Sequence, residues 1–192
     1  MAIVRKPRSR EQRSDAARNH EALVRAATAA VHREGPRMSM ATIAADAGVG
    51  IGTLYRHFPS REDLLNFLTH RSFEQVLANA RAAESDGTTA SDALRRFIEA
   101  AIAQREELVL PLHGGSPVTV PETLAVREQV HRALQRIIER GRSDGTISQD
   151  VTPRDVVVLG AMLAQPRQSD PGWDATCRRL LATYVNGLRT CR

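Results

Sequence analysis

Leu23, Ala26, Ala27, Ala30 and Val31 recur three and four residues apart near the start of the chain. That spacing puts them on one face and predicts an amphipathic first helix over about residues 13–33, stopped by Gly35-Pro36. Ser39 stands where it would cap a short second helix over 40–47. Gly48 breaks that helix, and a third short one runs to Phe58, ahead of Pro59-Ser60. Ser60-Arg-Glu-Asp63 reads as a capping box with aspartate in place of the usual glutamate. It opens a long helix in which Leu64, Leu65, Leu68, Val76, Leu77 and Ala80 are apolar, followed by a loop over 85–89. Further helices are predicted at about 91–110, 121–141, 153–165 and 172–190, with a Pro/Gly/Ser-rich loop over 111–121. Residues 156–163 are apolar all round, which suits a central helix or one pressed against a second subunit. Their valines would also suit a buried strand, but a lone strand has nothing to pair with. The predicted class is all-α.

Composition narrows this little. A chain of 192 residues, 42% hydrophobic and 26% charged, can bury a sizeable core and is not wholly disordered. No apolar run approaches the roughly 18 residues of a membrane helix. The basic N-terminus lacks the apolar segment of a secretory signal, so a soluble cytoplasmic protein without a membrane partner is expected.

Charge changes the picture more. Residues 1–33 hold eight basic and three acidic side chains, which is the entire net charge of +5. A basic arm over 1–14, with Arg5, Lys6, Arg8, Arg10 and Arg13, fits a phosphate-binding end and also fits a solubilising tail.

The informative segment is 39–58. Ala44, Gly48 and Leu54 supply what a helix-turn-helix needs: a small residue where two helices cross, a glycine for the turn, and an apolar seat for the second helix. Gly50 and Gly52 would let that helix's N-terminal backbone approach bases and phosphates. Tyr55, Arg56 and His57 crowd its far end, with Phe58 as core anchor. The same pattern fits a helical hairpin in an all-α core, with Tyr55 and His57 as ordinary surface groups.

The chain here resembles the TetR/AcrR family of transcriptional regulators. The likeness rests on the first helix, Gly35, Ser39, Thr42-Ile-Ala-Ala-Asp-Ala-Gly-Val49, Gly52-Thr-Leu-Tyr-Arg-His-Phe58 and Ser60-Arg-Glu-Asp-Leu64. It implies an N-terminal DNA-binding domain over 15–60 and a C-terminal effector-binding and dimerisation domain over 61–192. By resemblance Ser39 and Thr42 belong to the DNA-binding unit, and Ser39 would bond a phosphate. Gly50, Ile51, Gly52 and Thr53 would face the major groove, and Tyr55 and His57 would hold phosphates. Arg61 matches a usual lysine and keeps its charge. Met40 stands where a hydroxyl residue is frequent, and Arg56, where an aromatic is frequent, becomes a further phosphate contact. Few long side chains occupy this helix, so the basic arm is expected to supplement it from the minor groove.

The implied assembly is a homodimer through about 153–165 and 172–190, binding a near-palindromic double-stranded operator. Its recognition helices would lie about 34–36 Å apart or a multiple of that. By resemblance a small molecule in each C-terminal bundle would favour a geometry that releases DNA. Repressor is the role the resemblance implies, and nothing in the sequence distinguishes it from activator. Phe73, Phe97, Ile102, Leu112, Leu134 and Ile138 are the pocket candidates, apolar enough to suggest an apolar or amphipathic effector. A helical protein-interaction module without specific DNA binding is the alternative.

Enzyme chemistry finds no support. Gly48-x-Gly50-x-Gly52 lacks the spacing and the preceding strand of a dinucleotide site, and His113-Gly-Gly115 has no Gly-x-Ser-x-Gly partner. The six histidines include no metal-spaced pair, and Cys177 and Cys191 suggest neither a disulfide framework nor a metal site. No catalytic residue, cofactor or metal is expected. The stripe Trp173, Cys177, Leu180, Leu181, Tyr184, Val185 and Leu188 reads as a core or interface face, with Cys177 buried and Cys191 exposed.

Overall fold

The computed structural model describes residues 10–167 and 170–188, with side chains from residue 15 onward. Every regular element among them is helical: α1 Arg10–Glu34, α2 Met40–Asp46, α3 Ile51–His57, α4 Arg61–Ser85, α5 Ala90–Ala103, α6 Pro121–Ser143, α7 Pro153–Leu163 and α8 Trp173–Gly187. Short 3₁₀ turns occupy Gly35–Arg37 and Pro111–His113.

The helix starts carry their own signals. Ser60 accepts the Asp63 N–H at 3.0 Å, and its hydroxyl donates to the Asp63 carboxylate at 2.7 Å. Thr152 and Asp155 form a reciprocal box: the Thr152 N–H donates to Asp155 at 2.8 Å and the Asp155 N–H to Thr152 at 3.3 Å. The Thr152 hydroxyl, which donates to the Asp155 carboxylate at 2.7 Å, and then the Thr152 N–H hold that carboxyl below its usual range.

Two cores share α4. One gathers Leu23, Ala27, Ala30 and Val31 of α1, Ile43 and Ala44 of α2, Leu54 of α3, Phe58, and Leu64, Leu65 and Leu68 at the start of α4. The other gathers the rest of α4 with α5 to α8, and includes Leu94, Ile98, Leu134, Ile137 and Ile138. A division after residue 60 would therefore cut the first core. Its C-terminal boundary runs through α4, near Leu68. α4 and α6 run in the same direction, since His70 bonds Thr123 at 3.0 Å, Arg81 bonds Gln129 at 2.7 Å and Arg136 bonds Glu84 further along.

Three expectations need correction. The first helix starts at Arg10, so the backbone of Arg10 and Arg13 belongs to α1 and not to a free arm; Arg5, Lys6 and Arg8 lie outside the described residues. The fifth helix ends at Ala103, not near Leu110. Beyond it Leu108 and Leu110 enter the C-terminal core while Val109, between them, enters the N-terminal one. Extended backbone sends neighbouring side chains to opposite sides, which a helix cannot do. The loop expected over 85–89 is one residue shorter, because α4 includes Ser85. Arg189 to Arg192, with Cys191, fall outside the described residues.

Candidate nucleic-acid interface

Ser39 caps α2 by accepting the Thr42 N–H at 3.3 Å. At the other end of α2, the Val49 N–H bonds the Ala44 carbonyl and the Gly48 N–H bonds that of Ala45, each at 3.0 Å. This is the paired closure of a left-handed helix terminus. It needs a positive φ, and Gly48 has φ +67°. The turn delivers the chain to Gly50, whose carbonyl takes the Thr53 N–H at 2.8 Å and starts α3. Leu54 is fully enclosed and Phe58 nearly so, which seats α3 on α1 and α4.

The opposite face of α3 looks outward. Ile51 and Tyr55 are 44% and 48% exposed despite their apolar area. A Cβ at Gly50 or Gly52 would meet no described residue within 4 Å beyond its chain neighbours and its own helix backbone. Internal packing therefore gives no reason for glycine at either position, whereas close approach to an external body does. The Arg56 guanidinium folds along its own helix, donating to the Gly52 carbonyl at 3.1 Å and to Thr53 Oγ1 at 2.8 Å. Arg61 is exposed in the first turn of α4, and Thr42 is exposed beside the Ser39 cap. His57 is half-buried, with its ring centroid 5.4 Å from that of His20. His20 in turn stacks on Phe58 at 5.5 Å and meets Phe67 edge-on at 5.3 Å.

Residues 23–67 match the family described as bacterial regulatory proteins, tetR family, and residues 87–190 match the SbtR-like transcriptional regulator C-terminal domain. The chain belongs to the TetR family. It is therefore kin to DNA-binding transcriptional regulators and not to enzymes. The transcriptional repressor LfrR of Mycolicibacterium smegmatis is 29% identical over 111 residues, which are 57% of this chain and 58% of that protein. The chain thus spans little more than half the length of that relative. The TetR regulator SCO0520 of Streptomyces coelicolor superposes with a TM-score of 0.57 at 28% identity, over 90% of this chain and 99% of that one. PfmR of Thermus thermophilus shares the fold, with a TM-score of 0.69 at 22% identity over 88% of this chain and 99% of that one.

Within this TetR fold the α3 candidates stand together on one unit, Ser39 and Thr42 at the start of α2, Gly50 to Thr53 along the first turn of α3, and Tyr55 to His57 at its end. Met40, which replaces a frequent hydroxyl, is buried and belongs to the core. His20 was not singled out from sequence: one histidine on a helix carries no signal until its partners from α3 and α4 arrive beside it.

The C-terminal half holds an apolar cavity of about 200 Å³. Of the six pocket candidates, Phe73, Phe97 and Leu112 line it. Leu134 and Ile138 are fully enclosed in the core, and Ile102 packs against that core, so these three do not line it. The cavity lies along the Arg127–His131 stretch of α6, and Leu134 and Ile138 sit further along, where the bundle is closed. His131 has its pKa lowered by burial first and by Arg127 next.

A strap from Leu108 to Ser116 links this cavity to the DNA-binding core. Leu110, Pro111 and Leu112 line the cavity, while Val109 packs into the other core. The Val109 N–H donates to Ser72 Oγ at 2.8 Å and the Ser116 N–H to Thr69 Oγ1 at 2.9 Å, both on α4. His32 of α1 reaches the Leu108 carbonyl at 2.9 Å, and His113 reaches the Ala161 carbonyl on α7 at 2.8 Å. A Cβ at Gly115 would meet the Val109 oxygen at 2.6 Å, so only glycine lets the strap fold back on itself there.

α7 and α8 carry outward apolar side chains, with Val158 42%, Met162 54% and Leu180 47% exposed. Behind them Cys177, Leu181 and Leu188 are buried, so the α8 stripe divides between its own core and the surface. Burial pushes the Cys177 thiol up, as befits an unreactive core thiol. No described helix is long and apolar enough to cross a membrane, and no described cluster of ligating side chains could hold a metal ion.

Proposed function

We infer that the protein is a cytoplasmic, homodimeric repressor that binds a near-palindromic operator through α3 and leaves it when a small molecule fills the C-terminal cavity. The observation that carries this reading is the outward face of α3. It pairs exposed Ile51 and Tyr55 with two glycines that no packing among the described residues requires. The repressor name of the M. smegmatis relative supports the same direction. In this reading Gly50, Ile51, Gly52 and Thr53 enter the major groove, and Ser39, Tyr55, His57 and Arg61 hold phosphates. Thr42 supports the Ser39 cap, and Arg56 turns from its own helix to a phosphate on binding.

The exposed face of α7 and α8, with Val158, Met162 and Leu180, packs on its twin about a two-fold axis. Association of apolar side chains this exposed removes them from water, which is its driving force. Effector occupancy reaches α3 through the strap, because Leu110 and Val109 are adjacent and serve the two cores. The ligand acts only through its preference for one position of that strap.

Fluorescence anisotropy with fragments of the gene's upstream region, at about 150 mM salt against unrelated duplex, tests the DNA arm of this reading. Tyr55→Ala is the informative variant, since Tyr55 is exposed and its loss leaves the core intact. Loss of a neutral hydroxyl bond to one phosphate should weaken binding at every salt concentration and leave the salt slope unchanged, because no counterion is involved. His57→Gln is preferable to alanine, because the His57 ring belongs to the cluster with His20 and Phe58. Equal binding of every fragment by both forms would return the helix-turn-helix to an interaction module.

A further inference from the structure

The cavity has one chemical asymmetry. Arg127 and His131 are the only lining residues with polar side chains; the other walls are side chains such as Phe73, Phe97 and Val130, and backbone glycine. The two lie one turn apart on the same face of α6. Arg127 makes no ion pair or side-chain hydrogen bond with any described residue. The carboxylate that acts on His131, Glu128, is bonded to Arg132 at 3.1 Å. An unpaired guanidinium thus stands at the edge of an apolar chamber, beside an imidazole. Around His131 the charged neighbours are Arg127, Glu128 and Arg154, two cations to one anion. Arg127 is exposed, so a neutral ligand would leave its guanidinium to water and gain nothing from it, and a cation would be repelled by it. A carboxylate would take its planar fork in two parallel bonds.

The geometry points to a monoanionic amphiphile as the effector: an apolar body among Phe73, Phe97 and Val130, with a single carboxylate-type head on Arg127 and an N–H of His131. This rests on the effector-cavity reading above and deepens it. Arg127 sets specificity for the head group, and His131, whose pKa is lowered by burial first and by Arg127 next, donates a ring N–H beside it.

Isothermal titration with decanoate, 1-decanol and decyltrimethylammonium, three ligands of one chain length and different head charge, separates the possibilities. The intact protein should bind decanoate at least about tenfold more tightly than either other probe, the usual worth of a charge-assisted bond. Arg127→Met keeps the apolar stem and should erase that preference without weakening decanol; Arg127→Lys should keep part of it. Equal affinities for the three probes, no binding of any of them, or an unchanged preference in Arg127→Met would overturn the inference. The last result would mean that Arg127 only lays its stem over the cavity.

Anisotropy on bound operator keeps the two readings apart. Decanol that binds and releases DNA where decanoate does not would retain the effector cavity and remove the anionic head group. Selective decanoate binding that leaves DNA affinity unchanged would retain the head-group assignment and remove the effector role.

Discussion

Ser72 is the hydroxyl on which the strap depends. It is 3% exposed, its Oγ–H donates to the Leu68 carbonyl at 2.8 Å, and its oxygen accepts the Val109 N–H at 2.8 Å. Ser72→Ala removes both bonds with almost no change of volume. The Leu68 carbonyl stays within its helix, but the Val109 N–H is left among buried side chains with no replacement acceptor. An orphaned buried donor costs about 1–3 kcal/mol. At about 2–4 °C per kcal/mol for a chain of this size, the melting temperature should fall by roughly 2–12 °C. Urea unfolding should give a lower midpoint at unchanged slope, because the surface exposed on unfolding is the same. Ser143→Ala is the control: its hydroxyl donates to Glu139 O at 2.9 Å on the exposed end of α6 and orphans nothing, so its effect should stay within about 0.5 kcal/mol. Hydrogen exchange supplies the local readout, since the Val109 amide should lose protection in Ser72→Ala before amides of α5 do. A Ser72→Ala protein as stable as Ser143→Ala, with a protected Val109 amide, would refute the claim that α4 anchors the strap through this bond.

Removing residues 1–9 takes away Arg5, Lys6 and Arg8 while leaving α1 whole from Arg10, and should weaken operator binding and flatten its salt slope by up to about three; unchanged affinity and slope would mean the arm does not touch DNA. Met162→Glu with Leu180→Glu places charges on the exposed apolar face of α7 and α8 and should shift sedimentation from dimer to monomer; a persistent dimer would move the interface elsewhere. The Arg136 bond holds the Glu84 carboxyl below its usual 4.5, so this pair contributes stability above that value and loses it as pH falls through the depressed one. Glu84→Gln should therefore be less stable than the parent near pH 7 and converge with it in acid; a difference that does not change with pH would contradict the assignment.

Local structure was largely written in local sequence. The helical stretches followed from three- and four-residue spacing, and Ser39, Gly48 and Ser60 marked ends that the structure places at those residues. Cap hydrogen bonds and a positive φ are satisfied within a few residues, so no distant contact is needed to specify them. The α2–α3 unit was legible for the same reason: Ala44, Gly48 and Leu54 act within one short hairpin.

Tertiary structure decided what depends on depth and on remote partners. Periodicity says which way a side chain points but not how far the opposing surface stands, so Leu134 and Ile138 looked like cavity walls until the bundle enclosed them. Arg127 and His131 became a polar edge only because α5, α7 and the strap surround that stretch of α6 with apolar groups. The same limit misplaced the end of α5. Leu108, Val109 and Leu110 continue an apolar pattern, and only the presence of one core on each side of them makes extended backbone the conformation that buries all three.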